Sequence, residues 1–132
     1  GGYLISGSDD TKIKLWDINN GFQIKNFDNF ATVLFLKELN DNHFVSLSPK
    51  KVVKWNFDNG SKIEKSVGLF DEFKGIDVYP DGSLLVGSTY GLEVWNPSNF
   101  AVLKNLDSSS DFGIIRVLKN SLIAAYSIEN FG

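Results

Sequence analysis

Short apolar or alternating runs recur along the chain, each stopped by a cluster of Gly, Pro, Asn, Asp or Ser. "KIKLW" at 12–16, "VVKWNF" at 52–57 and "LEVW" at 92–95 have the spacing of half-buried strands. No stretch repeats its apolar residues at helical intervals, so helix content should be close to zero. Asn20-Gly21 and Asn59-Gly60 read as hairpin turns with both residues at positive φ. "NPSNF" at 96–100 does similar work through Pro97 and Asn99, and "YPDGS" at 79–83 joins "KGIDVY" to "SLLVGS".

The pattern repeats. Trp16, Trp55 and Trp95 stand 39 and 40 residues apart. Around them "LISGSDDTKIKLWDINNGFQIKNF", "FVSLSPKKVVKWNFDNGSKIEKSV" and "LLVGSTYGLEVWNPSNFAVLKNLD" align, and "SLIAAYSIENFG" at 121–132 begins a fourth copy. Four short strands in about 40 residues describe the blade of a β-propeller. The expected fold is therefore all-β: a propeller arc of four-stranded antiparallel blades, about three of them, with partial blades at both ends. The boundaries read as 1–27 (partial blade), 31–68 and 73–106 (blades) and 112–132 (partial blade).

"SGSDDTKIKLWD" at 6–17 resembles the signature of the WD-repeat family. It has small residues ending the second strand, an Asp in the turn, and Trp-Asp closing the third. The later copies are degenerate, with Trp55-Asn56 after "SPKK" and Trp95-Asn96 after "STYG". A ring of this family usually has about seven blades, so the resemblance implies a partial array. It also implies cytoplasmic or nuclear localisation. A start at Gly-Gly without Met reads as an internal piece of something longer.

Composition narrows the function. The 132 residues carry net charge −3, which gives no general affinity for nucleic acid. No apolar run approaches the roughly 20 residues that span a bilayer. There is no Cys and one His, His43, which removes thiolate chemistry and most His-based metal or acid–base schemes. Asp9, Asp10 and Asp17 lack the ligand spacing of a calcium loop. We expect no catalytic residues, metal or cofactor.

The resemblance assigns Asp10, Ser6 or Ser8, and Trp16 to a hydrogen-bonded staple within a blade, with Trp55 and Trp95 in the same role. A buried indole N–H or hydroxyl needs a partner. In propellers of this kind, connections between blades and turns between second and third strands share the face where partners dock. The inter-blade loops place Phe30, Phe73 and Phe112 three residues before Val33, Ile76 and Ile115. Each Phe either packs between blades, where the family's His would lie, or serves as an exposed aromatic anchor. Asp71, Glu72 and Lys74, with Lys50, Lys51 and Tyr90, complete the candidate partner-binding rim.

The expected function is a non-catalytic scaffold binding protein or peptide partners through these loops. One alternative is a ligand-binding or enzymatic propeller of lactonase-like or quinone-dependent type, for which the innermost strands offer only Lys37, Asp77 and Arg116. Another is an arc that assembles with further copies, as a homo-oligomer, into a closed ring; otherwise the rest of the propeller lies in a longer chain.

Overall fold

The structure is a computed structural model that describes residues 2–40, 42–108, 112–121 and 123–127. Its strands fall into four antiparallel sheets in chain order. The first contains β1 (Tyr3–Gly7), β2 (Lys12–Asp17) and β3 (Gln23–Asp28). The second contains β4 (Phe35–Glu38), β5 (His43–Leu47), β6 (Lys51–Asn56) and β7 (Lys62–Ser66). The third contains β8 (Phe73–Val78), β9 (Leu84–Ser88), β10 (Gly91–Trp95) and β11 (Val102–Asp107). The fourth pairs β12 (Phe112–Val117) with β13 (Ile123–Ser127). Among the described residues the only helical element is a 3₁₀ turn at Lys119–Ser121.

Apolar layers lie between successive sheets. Ile13 and Phe27 of the first pack on Phe44, Val53 and Trp55 of the second. Val45, Leu47 and Val52 from the other face of the second meet Phe73, Ile76, Leu84, Val86 and Trp95 of the third. Leu85, Leu92 and Val94 then meet Phe112 and Ile115 of the fourth. The middle strands β5 and β9 are buried on both faces, so they read as continuous apolar runs. Each large side chain buried here contributes about 1.5–3 kcal/mol.

The hairpins joining third and fourth strands share one form, which differs from the expected two-residue turn. Each is a four-residue loop, closed by Asp17 N–H to Phe22 O, Asn56 N–H to Ser61 O and Asn96 N–H to Ala101 O. The Asx after each Trp accepts the N–H two residues on, from Asn19, Asp58 and Ser98. The third loop residue does the same for Phe22, Ser61 and Ala101 through Asn20, Asn59 and Asn99. Only the fourth takes positive φ: Gly21 at 74°, Gly60 at 71° and Phe100 at 61°. The asparagines therefore act as acceptors rather than as left-handed residues. For Phe100 the left-handed backbone costs about 1–2 kcal/mol, offset by burying its ring against Trp95 at 5.5 Å.

Register distinguishes the second sheet. Bulges lie in the β2–β3 and β10–β11 pairings, whereas the β6–β7 register is unbroken. Ile13 therefore faces Phe27 across its pairing, while Val52 faces Lys65. Phe27 meets Trp55 edge-on at 5.7 Å, and the Lys65 ammonium covers Trp95 at 4.3 Å. The outer strands β3 and β7 thus each cover the Trp of the following sheet.

Candidate partner-binding edge and tryptophan staples

Inter-sheet connections and turns between second and third strands lie on one edge of the stack, here called the upper edge. Asn29 N–H bonds Thr11 O, Val67 N–H bonds Lys50 O, and Thr89 N–H bonds Glu72 O. The four-residue hairpins lie on the opposite, lower edge, where Phe57 N–H bonds Asn42 O.

The three Trp side chains satisfy their indole N–H groups differently. Trp16 donates to Ser6 Oγ at 2.9 Å. Trp55 donates to Ser46 Oγ at 2.9 Å, and Ser46 donates to Asn29 Oδ1 at 3.0 Å. Asn29 Nδ2 then donates to Ser48 Oγ at 2.8 Å and to Ala31 O at 2.9 Å. Asn29, Ser46 and Ser48 are all buried, so this is a hydrogen-bonded polar network within an apolar layer. Trp95 donates to Glu93 Oε1 at 3.2 Å. Val86 stands there at the register position that Ser6 and Ser46 occupy, so the hydroxyl is gone and a carboxylate from the same strand replaces it.

Ser8 and Asp10 lie outside these networks and shape the first upper turn. Asp10 N–H donates to Ser8 Oγ at 3.0 Å, and Asp10 Oδ1 accepts Lys12 N–H at 2.9 Å. The Ser8 hydroxyl, then the Lys12 amide, hold the Asp10 carboxyl below its usual range. Asp10 is thus a turn-capping residue with no bond to Trp16.

The expected aromatic row divides. Phe30 is 74% exposed, turned outward by φ 57°, with the Lys62 ammonium 5.7 Å from its ring. Phe73 is completely buried and edge-on to Trp95 at 5.5 Å, and Phe112 is buried in the layer between the third and fourth sheets. These two take the packing role of the two weighed for them; neither presents its ring to a partner. The sequence offsets match, but β8 starts at Phe73 whereas Phe30 precedes β4 in a left-handed turn.

Most charged rim positions hold the structure together. Lys50 Nζ donates to Leu69 O at 3.1 Å and to Asp71 O at 2.6 Å. Asp71 accepts the Thr89 hydroxyl at 3.0 Å, whose oxygen accepts Glu72 N–H at 3.0 Å. Lys74 pairs with Glu72 at 3.4 Å, and Lys51 with Glu64 at 3.7 Å. The Tyr90 hydroxyl is pushed up to about 12, first by burial and then by the neighbouring Glu93 carboxylate.

In the same connection as Asp71 and Glu72, on a backbone held by Lys50, Leu69 and Phe70 are 82% and 92% exposed. Neither is among the rim residues expected from sequence, although "GLFDEF" carries a signal: two large apolar residues behind a Gly and outside any strand period.

On the innermost strands, Lys37 Nζ lies 3.6 Å from Asp77 Oδ1, and Asp77 Oδ2 accepts Val117 N–H at 2.7 Å. Arg116 donates to Ile115 O at 2.8 Å. Among the described residues, no three His, Cys, Asp or Glu gather as a metal site.

The arrangement of sheets matches solved propellers. The WD40 β-propeller domain of Doa1 superposes with TM-score 0.80 at 20% identity, over 95% of this chain and 43% of that one. The propeller domain of Cps50 (Swd1) from Myceliophteria thermophila gives 0.76 at 15% identity, over 95% and 45%. A computationally designed protein, Ika4, gives 0.74 at 21% identity, over 98% of this chain and 87% of that one. The fold is that of a β-propeller arc. The chain spans less than half the length of the Doa1 and Swd1 domains it matches. No family model matches the sequence, and no curated protein resembles it in sequence.

Proposed function

We propose that this chain is a non-catalytic interaction scaffold, part of a WD-repeat propeller that holds a protein or peptide partner on its upper edge. The observation that carries the reading is the Leu69–Phe70 pair. Lys50 holds the Leu69 carbonyl within the pair and the Asp71 carbonyl just after it, and Thr89 fixes Asp71 and Glu72. An apolar anchor held in place loses little conformational entropy on binding. Phe30 adds a second exposed ring on the preceding connection. The inner-strand charges support the same reading, because Lys37, Asp77 and Arg116 bond to one another or to backbone rather than converging on free space.

A photo-crosslinking residue at Phe70 tests this. It should capture a partner that the same residue at Phe22, on the lower edge, does not. The double variant Leu69→Ser/Phe70→Ser should abolish capture with an unchanged melting curve. Equal capture from Phe22, or capture indifferent to the double variant, would overturn the reading.

A second reading, assembly, has one observation of its own. Trp16 is half-buried where its counterparts Trp55 and Trp95 are buried beneath the preceding sheet. A further blade packing on Leu4 and Trp16 would complete the pattern, supplied by the same polypeptide or by a second copy. Light scattering on the 132-residue chain separates the two sources, since only the second raises the mass above 14.7 kDa.

A further inference from the structure

The lower margin of the layer between the first and second sheets is not filled. A cleft of about 370 Å³ opens there, walled by Tyr3, Ile5, Leu15, Ile24 and Phe57. Tyr3 and Ile24 remain 69% and 45% exposed, so the walls are accessible. Volume and apolar lining fit one bulky side chain or a small ring system.

The polar side of the cleft is formed by Lys25, Glu38, Asn42 and Asp58. Lys25 is already committed, donating to Phe57 O and Asp58 O at 2.6 Å each. Asn42 donates its amide to Asp58 Oδ2. Two carboxylates therefore face one ammonium that points into backbone carbonyls, and the surplus charge is negative. A ligand placing an apolar group between the sheets would meet Glu38 and Asp58 with whatever follows it.

We propose that this cleft is a binding site for a basic-hydrophobic peptide segment, in which a bulky apolar side chain enters between the sheets and an adjacent Arg or Lys pairs with Glu38 and Asp58. Charge complementarity selects this occupant over a second copy's Leu69–Phe70 loop, which would bring Asp71 and Glu72 against the same carboxylates. The site lies on the edge opposite the partner loops, so it stands independently of the scaffold reading above.

The test is an amide NMR titration of the ¹⁵N-labelled full chain with two probes, Ac-Phe-Arg-NH₂ and Ac-Phe-Glu-NH₂. The Arg peptide should give saturable shifts at Leu15, Ile24 and Phe57, and the Glu peptide should bind at least about fivefold more weakly. Raising ionic strength should narrow that gap. Glu38→Gln, at an exposed position, should weaken the Arg peptide about fivefold. Ile24→Lys should remove the saturable shifts while the melting curve is retained. Equal binding of the two peptides, indifference to Glu38→Gln, or shifts confined to 67–72 would overturn the proposal. So would shifts at the cleft that track protein concentration without peptide, which would assign it to a second copy.

Discussion

The second and third sheets place a Trp at the same point and support it by different chemistry. Trp55 ends a chain of neutral hydrogen bonds through Ser46 to Asn29, which belongs to the connection entering its own sheet. Trp95 bonds to a carboxylate on its own strand, and its surroundings are completed by rings: Phe73 edge-on, Phe100 tilted across it. One support ties an inter-sheet connection to the centre of the sheet, whereas the other is local, a carboxylate on the same strand beneath packed rings and the Lys65 ammonium. The lesson is that the requirement is a buried indole with its N–H paired, and any nearby acceptor serves. Loss of signature residues therefore does not imply loss of the blade.

The largest way to break the comparison is to remove the ring. Trp95→Ala should cost about 3–5 kcal/mol in urea unfolding, as for other fully buried large side chains. Trp16→Ala, half-buried, should cost less than half of that; equal costs would mean that something covers Trp16 in solution.

Next comes the polar chain. Asn29→Ala removes the acceptor of the Ser46 O–H and the donor to Ser48 Oγ, and should cost about 1–3 kcal/mol. A double-mutant cycle with Ser46→Ala should show coupling of about 1 kcal/mol or more, and near-additivity would show that the bonds do not act as a unit.

The third sheet should then show an alkaline pH dependence through Tyr90. The folded Tyr90 hydroxyl titrates at about 12, above its ordinary value of 10.0. The folded state thus keeps a proton that the unfolded chain gives up, and this stability, complete below pH 10, is lost as pH rises towards 12. Tyr90→Phe should flatten that part of the alkaline stability profile, and an unchanged profile would remove Tyr90 as its source.

The smallest effect belongs to the Trp-Asp pair itself. Asp17→Asn should change stability by no more than about 0.5 kcal/mol, because Asn56 and Asn96 already supply the same accepting oxygen.

Much of this was legible in the sequence. The Trp interval, alternating runs and turn residues led to strands, repeat and fold class, because each depends on local spacing. Ser46 is absent from the staple residues expected from sequence, although "SGS" and "SLS" align around Ser6 and Ser46. Asn29 was not legible, because its role depends on the backbone turning at Phe30, which buries one residue and expels the next. The same turn separates Phe30 from Phe73 despite their equal offsets. The Lys65 cover over Trp95 was hidden for a related reason: whether an outer strand bulges decides which residue faces inward, and no residue type announces it.

Asp77 touches three sheets at once, taking Lys37 from one side and the amide of Val117 from the other. In mechanical terms it is a pin shared by two joints. If the second sheet tilts against the third, Asp77 must shift its carboxylate or stretch its hold on Val117, and the fourth sheet feels the strain. Sheets that touch only their neighbours would flex independently; through this one side chain, the pitch of one joint is set together with that of the next.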